Sequence, residues 1–348
     1  MYQHEDQSFR NRPKFMSDVV FEQVLARAAE YCDREGRQGM RLCFHGGEPT
    51  LIGTERFVRF ARRSQEVLGS KLRGIVLQTN GTLLNDDWAA VLAEHGVGVG
   101  ISLDGLPELH DAVRINHAGR GSYSATVRGL TTLQSAGFQP KVLCVVNPRA
   151  NGGATYRHLR SLGIRDMSFL LPDVSHDNKH RLYEDCGPTP VADYLIDAYD
   201  QWLRENDHTV IVQPFAHLLH QIWGAPPATD AFGNPSMSYL IVESDGGIHA
   251  LDALRVCDES IDSSGLNVFS NSFDDLAYGS PLVYRIVHEG IRPAEQCLKC
   301  HQLQVCGGGY LPHRYAHANG FDNPSVWCLD ILKLLAHLRQ SLDKYALL

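Results

Sequence analysis

RLCFHGGEPT (41–50) joins a short strand-forming run to a loop built from two glycines, an acid and a proline. Glycines at a strand exit let the backbone approach a ligand closely, and the proline stiffens the way out. The same arrangement recurs twice. GIVLQT (74–79) runs into TNGTLL (79–84), and VGVGISL (97–103) runs into SLDG (102–105). Two further strand candidates follow, KVLCVVN (141–147) and MSFLL (167–171). Between them lie FEQVLARAAEYC (21–32), ERFVRFARRSQEVL (55–68), DDWAAVLAEH (86–95), SATVRGLTTLQSAG (124–137) and TYRHLRSLG (155–163), whose apolar residues recur at three and four, the spacing of a helix. Regular alternation of strand and helix predicts an α/β fold with a parallel sheet. In such sheets the loops after the strands converge, so three polar loops in succession predict one shared site on that rim.

Each loop also has a plainer reading. Gly46 and Gly47 form an ordinary turn as readily as a ligand cradle, while Glu48 offers a carboxylate to a cationic amine and Pro49 fixes the exit. Asn80-Gly81 after Thr79 is a favoured turn pair. Ser102 and Asp104 suit ribose or amino-acid groups, or a helix cap. HDAVR (110–114) and RGSY (120–123) add charged groups, among which Arg114 could clamp a carboxylate or lie in solvent.

The C-terminal third carries CLKCHQLQVCGGGY (297–310) and NPSVWCLD (323–330). Cys297, Cys300 and Cys306, with Cys328 returning 22 residues after the third, have the types and spacing to close a tetrahedral thiolate site. The three glycines after Cys306 let amide N–H groups point at its sulfurs. An iron–sulfur cluster is the expected occupant, and zinc, which favours paired CxxC knuckles, is the rival. Cys257 is an extra ligand or a core thiol. Cys32, Cys43, Cys144 and Cys186 fall at positions that suggest structural roles.

The pattern changes near 190–225. Two helical stretches, PVADYLIDAYDQWLREN (190–206) and PFAHLLHQIWG (214–224), lead into the turn-rich GAPPATDAFGNPS (224–236). A hairpin follows, YLIVE (239–243) and IHALDAL (248–254) around SDGG (244–247), and the chain ends in an amphipathic helix over 330–348. Three domains are expected: 1–225, 226–330 and a terminal helix 331–348. At 348 residues, 43% of them apolar, the chain can bury a large core and a smaller one. A net charge of −8 without a basic block argues against a nucleic-acid partner, and no apolar run approaches the length of a membrane span. Nine cysteines, odd in number and clustered at ligand spacing, suit a reducing cytoplasm.

Taken together, HGGEP, TNGTLL, SLDG and the 297/300/306/328 cysteines resemble the radical S-adenosylmethionine (SAM) enzymes that carry a C-terminal SPASM-type domain. The resemblance covers essentially the whole chain. It implies a partial (β/α)6 TIM-like barrel followed by a small SPASM/twitch-type iron–sulfur domain with a β-hairpin. It implies SAM bound against Gly46, Gly47, Glu48, Pro49, Thr79, Asn80, Ser102, Asp104 and Arg114, with GGEP on the methionine amino group and Ser102 near the ribose or carboxylate. Cys297, Cys300, Cys306 and Cys328 would hold an auxiliary [4Fe–4S] cluster. The segments YQHEDQSFRNRP (2–13), FLLPDVSHDN (169–178) and CGGGYLPHRY…GFDNPSVWC (306–328) more narrowly resemble FxsB-like maturases, which form cyclophane crosslinks in ribosomally made precursor peptides. The implied partners are such a peptide and an electron donor of the flavodoxin or ferredoxin kind. Sulfatase-maturase-like chemistry and a non-catalytic peptide-binding role are the alternatives.

Two features depart from that pattern. No three cysteines have the CxxxCxxC spacing that holds the family's catalytic [4Fe–4S] cluster. Because Met1-Tyr2 aligns with the residues just after that signature, the expectation is a chain shortened at its N-terminus. It would lack the barrel's first strand and be inactive as it stands, with a cluster-less pseudoenzyme as the alternative. Position 310, where a further cysteine is usual, is Tyr, and the hairpin keeps only Cys257 of the usual pair. One auxiliary cluster is expected rather than two.

Overall fold

The structure is a computed structural model that describes residues 8–34, 39–233, 239–257, 261, 264–278 and 281–346. Residues 2–7 of the opening segment, 234–236 of the turn-rich stretch and 347–348 of the terminal helix lie outside the described residues.

Six strands form one sheet in sequence order: β1 (Met40–Phe44), β2 (Leu72–Thr79), β3 (Gly98–Ser102), β4 (Lys141–Val145), β5 (Asp166–Leu170) and β6 (Ile211–Val212). The β1–β2, β2–β3 and β5–β6 pairings are parallel. This is the α/β parallel sheet that strand–helix alternation predicts, and it agrees with the partial barrel that the family resemblance implies. The sixth strand is a departure, because Ile211–Val212 is two residues long and falls between two helical stretches. Three short antiparallel strands form a second sheet, β7 (Ile241–Val242), β8 (Gly247–His249) and β9 (Leu266–Asn267). IHALDAL was expected to be strand throughout. It stays extended only to His249, and Asp252–Val256 coils into a 3-10 turn. Among the described residues, no helix is long and apolar enough to cross a membrane.

The chain divides into two compact units. The first comprises Met1–Leu103, Asp111–Lys141 and Ser238–His288. One face of β1–β3 presents Phe44, Ile75, Leu77, Val99 and Ile101, and the helices Asp18–Asp33, Thr54–Leu68 and Asp86–Glu94 supply the aromatic residues of the same core. Phe21 stacks on Phe60 at 3.9 Å between centroids, and Phe57 meets both Phe44 (5.0 Å) and Trp88 (5.4 Å) edge-on. Full burial of Phe57, Phe60 and Trp88 contributes roughly 1.5–3 kcal/mol each. Two of these helices start on side-chain caps: Ser17 accepts from the Val20 amide at 3.1 Å, and Asn85 from the Trp88 amide at 3.0 Å. The period-2 pleat sends Cys43, Val76, Gln78, Gly98, Gly100 and Ser102 to the opposite face.

The second unit comprises Asp104–His110, Val142–Met237 and Glu289–Leu348. Its core gathers Phe169, Tyr194, Tyr199 and Phe215, with Phe169 edge-on to Tyr194 at 5.6 Å and Tyr199 edge-on to Phe215 at 5.3 Å. The helix Cys328–Ala346 packs along Pro190–Glu205, joined by a Tyr199–Ser341 hydroxyl bond of 2.6 Å. Asp330 accepts from the Val191 and Ala192 amides at 2.9 Å each, and so caps the start of Pro190–Glu205 from another element.

Candidate functional site

In the first unit the exit of β1 turns at Gly46, whose φ of +99° is the left-handed region that glycine enters without strain. Gly46 and Gly47 are exposed, Glu48 is half-buried and Pro49 is buried. Pro49 opens the 3-10 turn Pro49–Ile52, which Glu48 caps. The Glu48 carboxylate is the hub. Its Oε1 accepts from the Thr50 amide (3.0 Å), Thr50 Oγ1 (2.5 Å) and Thr79 Oγ1 (2.7 Å), while Oε2 accepts from the Asn80 amide (2.8 Å). The carboxylate predicted to face a cationic amine therefore also bolts HGGEP to TNG. Oε2 meets one donor among the described residues, which leaves a carboxylate lone pair on the side away from the Asn80 amide.

Thr79 is buried, and its Oγ1 also accepts from the Gly81 amide (3.0 Å). The Asn80 side chain folds onto Thr82, accepting from its amide (2.9 Å) and hydroxyl (2.7 Å), and the Asn80 carbonyl accepts from Thr126 Oγ1 at 2.9 Å. Ser102 is buried at the end of β3 and accepts from Gln78 Nε2 at 3.1 Å. Gly46–Pro49, Thr79 and Asn80 thus form one bonded group, and Ser102 joins β2 through Gln78. Arg114 is half-buried on a separate turn, where its carbonyl accepts from the Ser122 amide (3.1 Å) and hydroxyl (2.8 Å). Asp104 belongs to the second unit, where its Oδ1 accepts from the Val145 amide (2.9 Å) and its own amide donates to Nδ1 of the buried His110 (3.1 Å). That bond fixes His110 with its proton on Nε2. Sequence reasoning missed Gln78 and Thr126, while His110 stood in HDAVR (110–114) without a role of its own. The alternation of β2 was the available signal for Gln78.

The four cysteines all lie in the second unit. Cys297 sits on the short turn Glu295–Leu298, Cys300 follows it, Cys306 ends Leu303–Cys306 and Cys328 starts the long C-terminal helix. Gly307, Gly308 and Gly309 all have positive φ. A Cβ at Gly309 would also lie 2.6 Å from Ser325 Cβ, so only glycine lets this loop pass the strand of chain leading to Cys328. Among the described residues, no three Cys, His, Asp or Glu side chains are drawn to metal-ligand spacing. The four thiols nevertheless lie within each other's electrostatic reach. Burial first, and then Cys328, Cys297 and Cys300, push Cys306 up to about 12, while a hydrogen bond from the Gly308 amide opposes them. Cys328 is raised by burial and then by Cys297 and Cys300. Cys297 is raised by burial, against the pull of Arg314.

Arg314 is fully buried and donates to the carbonyls of Ile291 (3.2 Å), Arg292 (2.5 Å), Phe321 (2.9 Å) and Asn323 (3.3 Å). Four thiols, a glycine amide on one sulfur and a buried cation beside them form a donor set suited to an anionic thiolate centre. In donor chemistry, though not in spacing, these residues match a four-cysteine cluster. Cys257 lies in the first unit, buried at the end of its 3-10 turn.

The sequence model of the radical SAM superfamily matches residues 4–177. The chain belongs to the radical SAM superfamily. Its similarity extends to the cysteine-type anaerobic sulfatase-maturating enzyme of Clostridium novyi (strain NT), 24% identical over 322 residues, which are 89% of this chain and 82% of that enzyme. The serine-type enzyme of Klebsiella aerogenes is 27% identical over 315 residues, 87% of this chain and 74% of the other. Among solved structures, native anSMEcpe with bound AdoMet and Kp18Cys peptide superposes with a TM-score of 0.81 at 22% identity, over 95% of this chain and 91% of that one. Streptococcus suis SuiB bound to precursor peptide SuiA gives 0.54 at 14% identity, over 89% and 68%. At these identities the structural likeness establishes a shared fold.

Proposed function

We propose that this radical SAM chain binds S-adenosylmethionine at the ends of its first three strands. It would hold one [4Fe–4S] cluster on Cys297, Cys300, Cys306 and Cys328, and serve the radical modification of a peptide. The observation that carries the reading is the Glu48 hub, which gathers the exits of β1 and β2 into one prepared loop pair. Bound SAM, together with a reducing cluster, supplies an organic radical that removes hydrogen from an unactivated carbon. The protein's part is placement. Gly46 and Gly47 leave backbone accessible to the ligand's amino-acid end, Glu48 contributes an acceptor, and Thr79, Asn80 and Ser102 fix the rim. Arg114 is a further candidate for the ligand's polar groups.

A peptide substrate draws support from the relatives named for sulfatase maturation and from the neighbours bound to Kp18Cys and SuiA peptides. Two finer readings have separate support. Cyclophane crosslinking rests on the FxsB-like segments around 169–178 and 306–328. Oxidation of a sulfatase Cys or Ser side chain rests on similarity spanning over four-fifths of the chain. A flavodoxin- or ferredoxin-type reductant and a cytoplasmic setting complete the proposal. The sequence lacks CxxxCxxC, so this chain by itself is expected to bind SAM without cleaving it.

Anaerobic reconstitution of the full chain tests this directly. We expect about four irons with matching sulfide, lost in Cys306→Ser and Cys328→Ser and retained in Cys257→Ser. We also expect SAM binding that weakens in Glu48→Gln, with no 5′-deoxyadenosine released. Zinc in place of iron, iron that survives loss of Cys306, or robust 5′-deoxyadenosine would each overturn the corresponding part.

A further inference from the structure

The glycine loop after Cys306 lies against a buried cation that has no anion of its own. Arg314 is 1% exposed, and its hydrogen bonds go to the backbone carbonyls of Ile291, Arg292, Phe321 and Asn323. Carbonyl oxygens satisfy the N–H groups but carry no net charge to offset the guanidinium. Among the described residues Arg314 forms no ion pair, and the groups of opposite sign that act on it are Cys297, Asp322 and Cys306. Asp322 is exposed, where water screens it. Gly308 brings the cation to the sulfurs: its amide donates to Cys306, while a Cβ on it would lie 3.9 Å from Arg314 Nη1. A buried cation is costly unless an anion meets it. Cysteines are neutral as thiols, and only as metal-bound thiolates do they become the anion this guanidinium lacks.

We propose that Arg314 sets the electron affinity of the four-cysteine centre, its buried charge making that centre redox-active rather than purely structural. This rests on the [4Fe–4S] reading of Cys297, Cys300, Cys306 and Cys328 above. One-electron reduction, by the flavodoxin- or ferredoxin-type donor, adds one negative charge to a group that four thiolates already make anionic. A fixed positive charge beside it stabilises the reduced form more than the oxidised one, and so raises the midpoint potential. At an effective dielectric constant of about 20, one unit charge shifts such an equilibrium tenfold or more out to about 12 Å. Asp330 acts in the opposite sense, being buried near Cys328. Its Oδ1, however, accepts from the Val191 and Ala192 amides, which offset part of its charge.

The test is a redox titration of the anaerobically reconstituted full chain, followed by electron paramagnetic resonance. Because the sequence lacks CxxxCxxC, the signal comes from this centre alone. Arg314→Met and Arg314→Gln remove the charge, whereas Arg314→Lys keeps it. The reduced-to-oxidised ratio is read on loaded molecules, so partial loading does not enter. At the midpoint potential of the unaltered chain, the Met and Gln variants should show that ratio lowered about tenfold, a midpoint about 59 mV lower. The Lys variant should stay within about threefold of the unaltered ratio. A brace without an electrostatic role would change melting temperature and iron content, but would not divide the variants by charge. The inference is overturned if the Met and Gln variants keep the unaltered ratio, or if Lys falls as far as they do. It is equally overturned if neither uncharged variant holds iron, which places the charge in assembly, or if photoreduced deazaflavin cannot reduce the unaltered centre. Zinc, or no cluster at all, in the unaltered chain would instead defeat the cluster reading itself, and this inference with it.

Discussion

His313 should make the protein acid-sensitive in a way a single substitution removes. The ring is completely buried, and neither nitrogen makes a well-formed hydrogen bond among the described residues, the Pro172 carbonyl giving only a weak one. Nε2 lies 3.9 Å from Asp173 Oδ1, too far for a hydrogen bond. Burial therefore lowers its pKa from 6.5 to about 3, with the Pro172 carbonyl opposing and Lys179 reinforcing. A histidine with a lowered folded pKa is neutral when folded and takes up a proton when unfolded. Its contribution is fully present above the unfolded value near 6.5 and is lost progressively as pH falls toward 3. At 1.36 kcal/mol per pH unit, the loss between pH 7 and pH 5 is about 2 kcal/mol, which is roughly 4–8 °C of melting temperature for a unit of 150–250 residues. His313→Leu removes the titration and leaves no ring nitrogen to satisfy. Thermal melts of both proteins at pH 7 and pH 5 check this, and acid effects on the thiol site cancel in the difference. The unaltered chain should lose about 4–8 °C more than the variant on acidification. Equal losses would refute the argument.

The buried Arg314 should be needed for the thiol site to form. Arg314→Met strips a donor from four backbone carbonyls, costing on the order of 1–3 kcal/mol for each that water cannot reach. Reconstituted iron should fall by more than half, with Arg314→Lys intermediate, as measured by iron content and melting temperature. Glu48→Ala frees the donors of Thr50, Thr79 and Asn80 at a half-exposed position, and should lower the melting temperature by roughly 2–6 °C. Thr79→Val should show a smaller fraction of that loss, and calorimetry would rank the two.

The parts legible in the sequence were those that repeat a short-range rule. Strands β1 to β3 announced themselves because each is an apolar run closed by a polar, Gly-bearing loop, β4 and β5 because each is a short apolar run between helical stretches, and the helices because their apolar spacing is three and four. Ile211–Val212 did not, since two residues have no period to detect; its strand character comes from pairing with Asp166–Met167. Within IHALDAL the alternation continued past the point where the chain coils, because period-2 patterning does not record where a partner strand ends. The cysteine pattern was readable because three of the four thiols lie within ten residues of one another. Arg314 and His313 were not, as an arginine and a histidine in CGGGYLPHRY read as surface residues until the fold encloses them.

Glu48 and Gln78 show where the boundary between legible and hidden chemistry falls. The sequence marked Glu48 for a ligand because it stands in a glycine loop after a strand. Only the fold shows that the same carboxylate accepts from the neighbouring strand's exit. Gln78 carried no mark at all, because its meaning depends on register: moved by one residue it would face the helices, and beside any residue larger than Gly100 it would have no room. A motif names the residues a ligand touches, whereas the residues that aim those groups are fixed by pairing between strands. A search confined to glycine loops would therefore find Glu48 and Ser102 and pass over the amide that orients Ser102.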